Sequence, residues 1–133
     1  MSVSLSPQAA AELMAQGHKY LDVRSRAEFV LGHVPGSLHV PLLLPEHEGG
    51  GVDPSFVDAV LRLAEKDRAM IVGCESGQRS KVALALLVSA GFEKLHELGP
   101  GFGGTRDAFG RRIPGWAQCG LPVELGSADA SVD

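Results

Sequence analysis

Apolar residues follow two patterns that alternate along the chain. Residues 56–64 carry apolar side chains at the spacing of a helix with one buried face: Phe56, Val57, Val60, Leu61 and Ala64. Residues 69–73 form a short continuous apolar run, which is typical of a strand buried on both faces. Further strand candidates are residues 20–23, 37–41 and 95–98. Strands that alternate with helices of about ten residues predict an α/β fold, in which helices cover both faces of a parallel sheet.

Capping signals mark the starts of the predicted helices. Two of them pair a capping residue with a proline in the first helical position: Ser6-Pro7 and Asp53-Pro54. Ser25 and Glu28 fit a capping box. A last helix is predicted over residues 80–90, and residues 46–52, with three consecutive glycines, are predicted to be a loop.

Composition indicates one ordinary globular domain. The chain has 133 residues, of which 44% are hydrophobic and 21% charged, enough to bury a core without disulfides or metal ions. We expect one domain over residues 1–125 and a flexible tail over residues 126–133, which are small, polar and acidic. The net charge of −4 argues against a nucleic-acid partner.

The sequence gives no sign of export, membrane insertion or metal binding. The N-terminal residues lack a secretory pattern, and no apolar run approaches the roughly 18 residues that span a bilayer. Cys74 and Cys119 make neither a disulfide framework nor a zinc site, and the histidines have no metal-ligand spacing. We therefore expect a cytoplasmic protein with no metal and no membrane partner.

Cys74 stands where the apolar strand of residues 69–73 turns into a helix. The turn reads Cys74-Glu75-Ser76-Gly77-Gln78-Arg79-Ser80. Backbone N–H groups converge in such a turn, and the helix N-terminus adds partial positive charge at the same point. These effects and a nearby arginine favour the thiolate, which is the reactive form of cysteine. A small buried hydrophobe that closes the strand is the alternative interpretation of Cys74.

An ordered set of motifs resembles the single-domain rhodaneses. In chain order the motifs are Tyr20-Leu21-Asp22-Val23-Arg24, Glu28-Phe29, Gly32-His33-Val34-Pro35-Gly36-Ser37, residues 74–80, Gly91-Phe92, Gly115-Trp116 and Gly120-Leu121-Pro122-Val123. This set covers nearly the whole chain. The resemblance implies a five-stranded, mostly parallel sheet with helices on both faces. It also implies sulfurtransferase activity through a persulfide on Cys74.

The residues themselves suit such chemistry. A Cys74 thiolate would attack the outer sulfur of a small anionic donor such as thiosulfate, and the persulfide would pass its sulfur to cyanide, a thiol or a protein thiol. The predicted substrate-binding residues, whose backbone N–H groups would stabilise both anions, are Glu75, Ser76, Gly77, Gln78, Arg79 and Ser80. The cycle needs no cofactor beyond the covalent intermediate.

Two other functions remain open. Four residues separate Cys74 from Arg79, whereas the related cell-cycle phosphatases carry one more. The tighter ring favours a sulfur atom over a tetrahedral phosphate, which ranks phosphatase or anion-reducing activity below sulfur transfer. The other alternative is a non-catalytic binding or regulatory module, against which the intact cysteine argues.

Glu75 departs from the family pattern, because the position after the cysteine is often basic or neutral in active sulfurtransferases. A carboxylate facing the pocket would disfavour the thiolate and repel thiosulfate, whereas one facing solvent, the orientation we favour, would do neither. Glu75, Arg79 and Lys81 together give the rim of the site, meaning the turn and its exit, a predicted charge of +1. If thiosulfate is turned over poorly, the natural donor is a protein or small-molecule persulfide.

Residues outside the turn receive supporting roles. By the resemblance, Asp22 and Arg24 brace the turn through hydrogen bonds, and a surface ion pair is the alternative. His33 is interpreted as a structural histidine and Trp116 as a core anchor. Cys119 is either a resolving thiol for the persulfide or, as we expect, a buried structural residue.

Residues 99–116 are predicted to be a long glycine-rich loop. Its charged residues are Arg106, Arg111 and Arg112 against Asp107, a local charge of +2. Loops at the rim of a site often select substrates, so this one is expected to dock an acidic acceptor or to attract an anionic donor. A solvated connection is the alternative.

Overall fold

Five short parallel strands form the central sheet. They are β1 (Ser4–Leu5), β2 (Lys19–Asp22), β3 (Leu38–His39), β4 (Met70–Gly73) and β5 (Leu95–Leu98). In the computed structural model, which describes residues 4–126, their order is β1-β5-β4-β2-β3 and every neighbouring pair is parallel. The predicted five-stranded α/β sheet is confirmed. The predicted tail lies outside the described residues except for Gly126, whose N–H donates to the carbonyl oxygen of Val30.

Four α-helices connect the strands. They are α1 (Pro7–Ala15), α2 (Arg26–Leu31), α3 (Phe56–Leu61) and α4 (Gln78–Ser89), and two short 3-10 turns cover Glu46–Glu48 and Trp116–Gln118. The capping box is present at α2, where Ser25 and Glu28 exchange hydrogen bonds. The predicted cap at Asp53 is wrong, since α3 begins two residues later with Ser55 at its N-cap. Asp53 instead accepts the N–H of Ser55 and holds the turn before the helix.

Side chains from the sheet enter two cores. Met70 and Val72 of β4 pack in a cluster with α3 and α4, whereas Ile71 packs in a second cluster with α1 and Trp116. Alternate residues of a strand point to opposite faces, so both faces of the sheet are covered by helices, as predicted. Trp116 is a core anchor, as predicted, and its Nε1–H donates to the carbonyl oxygen of Pro122.

The glycine-rich segment 99–116 contains an antiparallel hairpin, so the prediction that the whole segment is a loop is wrong. Its strands are β6 (Thr105–Arg106) and β7 (Arg112–Ile113). A carboxylate oxygen of Asp107 closes the turn by accepting the N–H groups of Phe109 and Arg111. A turn held by a single side-chain acceptor produces no pattern of apolar residues in the sequence, so the hairpin was not predicted. Strand β1 has two residues, which is also too short for such a pattern.

Candidate functional site

The carboxyl end of β4 runs directly into Cys74, and α4 begins four residues further on. Between them Gly77 has φ +95°, a left-handed conformation that glycine adopts at little cost. A Cβ at this position would clash with the carbonyl oxygen of Gly99. Backbone conformation and packing therefore both require glycine, and the sequence-predicted turn from strand to helix is present. We call residues 74–80 the Cys74 loop.

The sulfur atom of Cys74 lies at the centre of this loop. Cys74 is only 1% exposed, and its Sγ accepts the N–H of Gly77 at 3.1 Å and that of Ser80 at 3.3 Å. The first turn of α4 is directed at the same atom, and both contributions favour negative charge on sulfur. Two of the six predicted binding residues thus contact the sulfur through their backbone.

A second segment holds the Cys74 loop from outside. The N–H of Phe102 donates to the carbonyl oxygen of Cys74 at 2.8 Å, and the N–H of Gly103 donates to that of Glu75 at 2.9 Å. This support leaves no signal in the sequence, because backbone pairing across a loop depends little on residue type. The loop is consequently fixed on both sides.

Arg24 connects the end of β2 to the Cys74 loop. Its guanidinium forms three hydrogen bonds with the carboxylate of Asp22, at 2.8 to 3.1 Å, and Nη1 donates to Oε1 of Glu75 at 3.0 Å. The ring of Phe102 lies over it at 4.5 Å. Asp22 and Arg24 are 1% and 2% exposed, so the interpretation as a surface ion pair is wrong. The contact between Arg24 and Glu75 agrees with the other interpretation, in which Asp22 and Arg24 brace the loop.

The Glu75 side chain lies between Arg24 and Gly103. Its side chain is 42% exposed, ion-paired with Arg24, and lies against Gly103, where a Cβ would clash with Oε2. The expectation of a solvent-facing carboxylate is therefore met only in part. The carboxylate is partly exposed to solvent and is also ion-paired with the buried guanidinium of Arg24.

Arg79 is tied to Glu28 of α2. Nη1 and Nη2 of Arg79 donate to the two carboxylate oxygens at 2.7 and 2.8 Å. The hydrogen bonds from Arg79 lower the pKa of Glu28 to about 2, and the same contact raises the pKa of Arg79. From the sequence, Glu28 was assigned to the helix cap and to the Glu28-Phe29 motif, with no part in the site. The available signal was its place in the Glu28-Phe29 motif.

The charged residues of the Cys74 loop and its exit, which alone sum to the predicted +1, sum to −1 once their ion-pair partners are included. Lys81 pairs with Glu97 at 3.2 Å, as Arg79 pairs with Glu28 and Arg24 with two carboxylates. The set comprises four acidic and three basic residues: Asp22, Glu28, Glu75 and Glu97 against Arg24, Arg79 and Lys81. Attraction of an anion to this site must therefore come chiefly from backbone N–H groups.

Two cavities flank the loop. The larger, of about 740 Å³, is lined mostly by apolar residues and reaches Val23, Glu28 and Arg79. The smaller, of about 310 Å³, is bounded by Arg24, Glu75 and Phe102 among others. A volume of 300 to 1,000 Å³ is typical of small-molecule sites, so the surroundings have room for an organic substrate.

The other predicted residues have no evident part in this arrangement. His33 is buried, with Nδ1 2.8 Å from the carbonyl oxygen of Phe29 and Nε2 3.1 Å from Glu124, which agrees with a structural role. Cys119 is half-buried at the end of a 3-10 turn. Among residues 4–126, no cluster of three or more His, Cys, Asp or Glu side chains could hold a metal ion. Within that range no helix is long and apolar enough to cross a bilayer.

Comparisons with known proteins agree with this geometry. A family model described as the rhodanese-like domain matches residues 6–107. Thiosulfate sulfurtransferase 16, a chloroplastic protein of Arabidopsis thaliana, is 34% identical over 121 residues, which cover 91% of this chain and 92% of that protein. The crystal structure of Rv0390 from M. tuberculosis superposes with a TM-score of 0.76 at 28% identity, covering 94% of this chain and 98% of the other.

Other relatives are longer than this chain. The mitochondrial protein HIGH ARSENIC CONTENT 1 of Arabidopsis thaliana is 33% identical over 99 residues, which cover 74% of this chain and 59% of that protein. The matched part is 60% of the senescence-associated protein DIN1 of Raphanus sativus. The similarity thus spans about three fifths of these proteins.

Proposed function

Because this chain belongs to the rhodanese-like domain family, as its motifs predict, we propose that it is a sulfurtransferase that carries sulfur on Cys74. Relatives named thiosulfate sulfurtransferase, at 33 to 35% identity, support this activity. The single observation that carries the proposal is the buried Sγ of Cys74, which accepts two backbone N–H groups beside the N-terminus of α4.

The first half of the cycle loads the sulfur. The thiolate of Cys74 attacks the outer sulfur of the donor, and the bond between that sulfur and its carrier breaks. With thiosulfate, the carrier leaves as sulfite with the electron pair of the broken bond, and Cys74–S–S⁻ remains. The negative charge shifts outward by one sulfur, toward the opening of the loop, where converging N–H groups stabilise it.

The second half unloads the sulfur. An acceptor nucleophile attacks the outer sulfur of the persulfide, and the S–S bond breaks with its electron pair returning to Cys74. Cyanide leaves as thiocyanate and a thiolate leaves as a persulfide, so the cycle closes without a cofactor or an external redox agent. No general base is required once the cysteine is ionised.

The charge of the site affects which sulfur donor it can accept. Thiosulfate carries two negative charges and would meet side chains that sum to −1, so backbone N–H groups alone would favour its entry. The mostly apolar 740 Å³ cavity beside Arg79 suits the organic part of a small-molecule persulfide. We therefore include both donors in the proposal, with cyanide, a thiol or a protein thiol as the acceptor.

Intact-mass measurement tests the proposal directly. The protein is incubated with thiosulfate or glutathione persulfide, desalted and weighed. We expect a gain of about 32 Da, which is one sulfur atom, and its loss on adding cyanide. The gain should be absent in Cys74→Ser and present in Cys119→Ser, which is the matched control for a second thiol in the chain.

Other outcomes would favour the alternatives. If neither donor loads folded protein, the chain is a binding module of the same family. Release of phosphate from an aryl phosphate, abolished in Cys74→Ser, would instead indicate a phosphatase. The structure offers little support for the latter, because both terminal nitrogens of Arg79 are already bonded to Glu28.

A further inference from the structure

The hairpin of β6 and β7 projects an aromatic and cationic tip into solvent. We call residues 104–114 the arginine arm. Phe109 at its turn is 82% exposed, the highest value among the large hydrophobic residues described, and Arg111 lies over its ring at 5.2 Å. Arg106 and Arg112 face each other across the two strands, and both are exposed. Aromatic residues and arginine are the types most enriched at protein interfaces.

The arm is fixed to the Cys74 loop at its base. Phe102 and Gly103, just before the arm, donate their N–H groups to Cys74 and Glu75. On the other side, Trp116 and Ala117 donate N–H groups to the carbonyl oxygens of Gly101 and Phe102. Since Trp116 is buried in the core, the arm has a defined position relative to Cys74.

Charge distinguishes the arm from its surroundings. Three arginines and one aspartate give it +2, whereas the side chains around the Cys74 loop sum to −1 and the whole chain to −4. At a rise of about 3.3 Å per residue, the tip extends roughly 15 Å from the base of the arm. Exposed charges are largely screened beyond about 8 Å at physiological salt, so the tip contributes little to attracting a small anion to the sulfur.

We propose that the arginine arm docks an acidic protein surface that presents the acceptor thiol to the Cys74 persulfide. Acidic side chains of the acceptor pair with the arginines, Phe109 packs on an apolar spot between them, and the thiol reaches the opening of the loop. The inference rests on the proposed sulfurtransferase function. The match to the family model covers residues 6–107 and therefore ends inside the arm.

A protein fits this surface better than a uniform polyanion. Nucleic acid would have to approach a chain of net charge −4 through a patch of only +2. A folded acceptor needs only a small acidic patch, and the rest of its surface can avoid the acidic rim. Complementary charges at the edge of an interface mainly raise the association rate.

Single-turnover transfer to designed peptides tests the docking. The probes are two thiol peptides of equal length, each with one cysteine, flanked by glutamates in one and by glutamines in the other. Protein loaded with persulfide is mixed with each peptide, and the ratio of the two rate constants is compared among variants. The ratio cancels the intrinsic difference in thiol reactivity between the peptides.

The arm variant is Arg111→Gln with Arg112→Gln. The ratio of the rate constant for the acidic peptide to that for the neutral peptide should be about fivefold higher in the unaltered protein than in the arm variant. High salt should abolish the advantage. The matched control removes two exposed arginines from the segment between α3 and β4, at the end of β4 away from Cys74, and should keep the full ratio; it is Arg62→Gln with Arg68→Gln. Transfer to cyanide should stay within twofold in all three proteins.

Each contrary result has a distinct meaning. Equal ratios in the unaltered protein and the arm variant, with normal loading, overturn the docking proposal and leave the sulfurtransferase proposal standing. A drop in the control variant equal to that in the arm variant also overturns docking, because the effect would come from net charge alone. Failure of any donor to load Cys74 overturns both proposals.

Discussion

The Cys74 loop and the arginine arm are neighbours that hold their charged groups in opposite ways. Around the loop, charged side chains form ion pairs: Arg24 with Asp22 and Glu75, Arg79 with Glu28, and Lys81 with Glu97. In the arm, the ion pair between Arg111 and Asp107 is long, at 3.4 Å, and exposed to water. The arm therefore keeps Arg111 and Arg112 exposed to solvent, although Arg106 donates to the carbonyl oxygen of Gly110, whereas Arg24 and Arg79 beside the loop are held by carboxylates.

This difference shows how the site can separate two tasks. The loop must hold converging N–H groups in one geometry, and internal ion pairs contribute to that rigidity without adding net positive charge. Recognition of a large partner needs accessible charge, which the arm supplies away from the sulfur. Substitutions in the loop should therefore affect chemistry and stability together, and substitutions in the arm should affect neither strongly.

Replacement of glycine offers the strongest contrast. In Gly77→Ala, the new Cβ would clash with the carbonyl oxygen of Gly99 at a left-handed backbone position. We expect a loss of about 2 to 3 kcal/mol in the free energy of unfolding and, from the displaced N–H groups, an approximately hundredfold slower loading of Cys74. Chemical denaturation and mass-monitored loading measure the two effects.

Gly110→Ala is the matched control for that change. Gly110 also has a positive φ, of +78°, but a Cβ there would meet open space at the turn of the arm. We expect a loss of about 1 kcal/mol and unchanged loading. If Gly77→Ala loads as fast as Gly110→Ala, the geometry around Gly77 is not what activates Cys74.

Removal of one carboxylate from each region should also have unequal effects. Glu28→Gln keeps an oxygen for the cap of α2 but removes the charge held by two hydrogen bonds from Arg79, and should cost about 2 kcal/mol of folding free energy. Asp107→Asn keeps the turn acceptor of the arm and removes only an exposed ion pair, which should cost less than about 0.5 kcal/mol. Equal costs, measured by urea denaturation, would contradict the contrast between the half-buried Arg79–Glu28 pair and the more exposed Arg111–Asp107 pair.

The same ion pair predicts a pH dependence. Glu28 has its pKa lowered from 4.5 to about 2 by Arg79, so the unfolded chain binds the proton more readily than the folded one. The stabilisation is fully present above pH 4.5 and is lost as the pH falls toward 2. The difference in unfolding free energy between the unaltered protein and Glu28→Gln should be constant from pH 7 to 6 and should shrink by roughly half near pH 3. A difference that does not change with pH would mean that the carboxylate charge is not responsible.

Much of the fold followed from local sequence signals. The apolar run before Cys74, the glycine at position 77 and the periodic residues after it predicted a strand, a turn and a helix. These signals are local, because each depends on residues a few positions apart. The cap of α2 at Ser25 and Glu28 is of the same kind, and it was confirmed.

The interactions that complete the site could not be read in the same way. Glu28 and Arg79 are 51 positions apart, as are Arg24 and Glu75, and no local spacing links them. The predicted rim charge of +1 counted only residues next to Cys74 in sequence, and ion-pair partners from other elements bring the sum to −1. The arginine arm was missed as a hairpin because its turn depends on one carboxylate, and its strands have two residues each.

The smallest expected effect concerns Glu75, which lies between the loop and the arm. Glu75→Gln keeps an oxygen toward Nη1 of Arg24 and removes one of the charges that make the rim negative. Loading from thiosulfate, which carries two negative charges, should become about threefold faster, and loading from an alkyl persulfide, which carries at most one, should gain less, because the lost repulsion scales with the charge of the donor. Arg112→Gln in the arm is the comparison and should leave both rates unaltered. If both donors gain equally from Glu75→Gln, the carboxylate limits loading through the shape of the loop. Its charge would then have no part in selecting the donor.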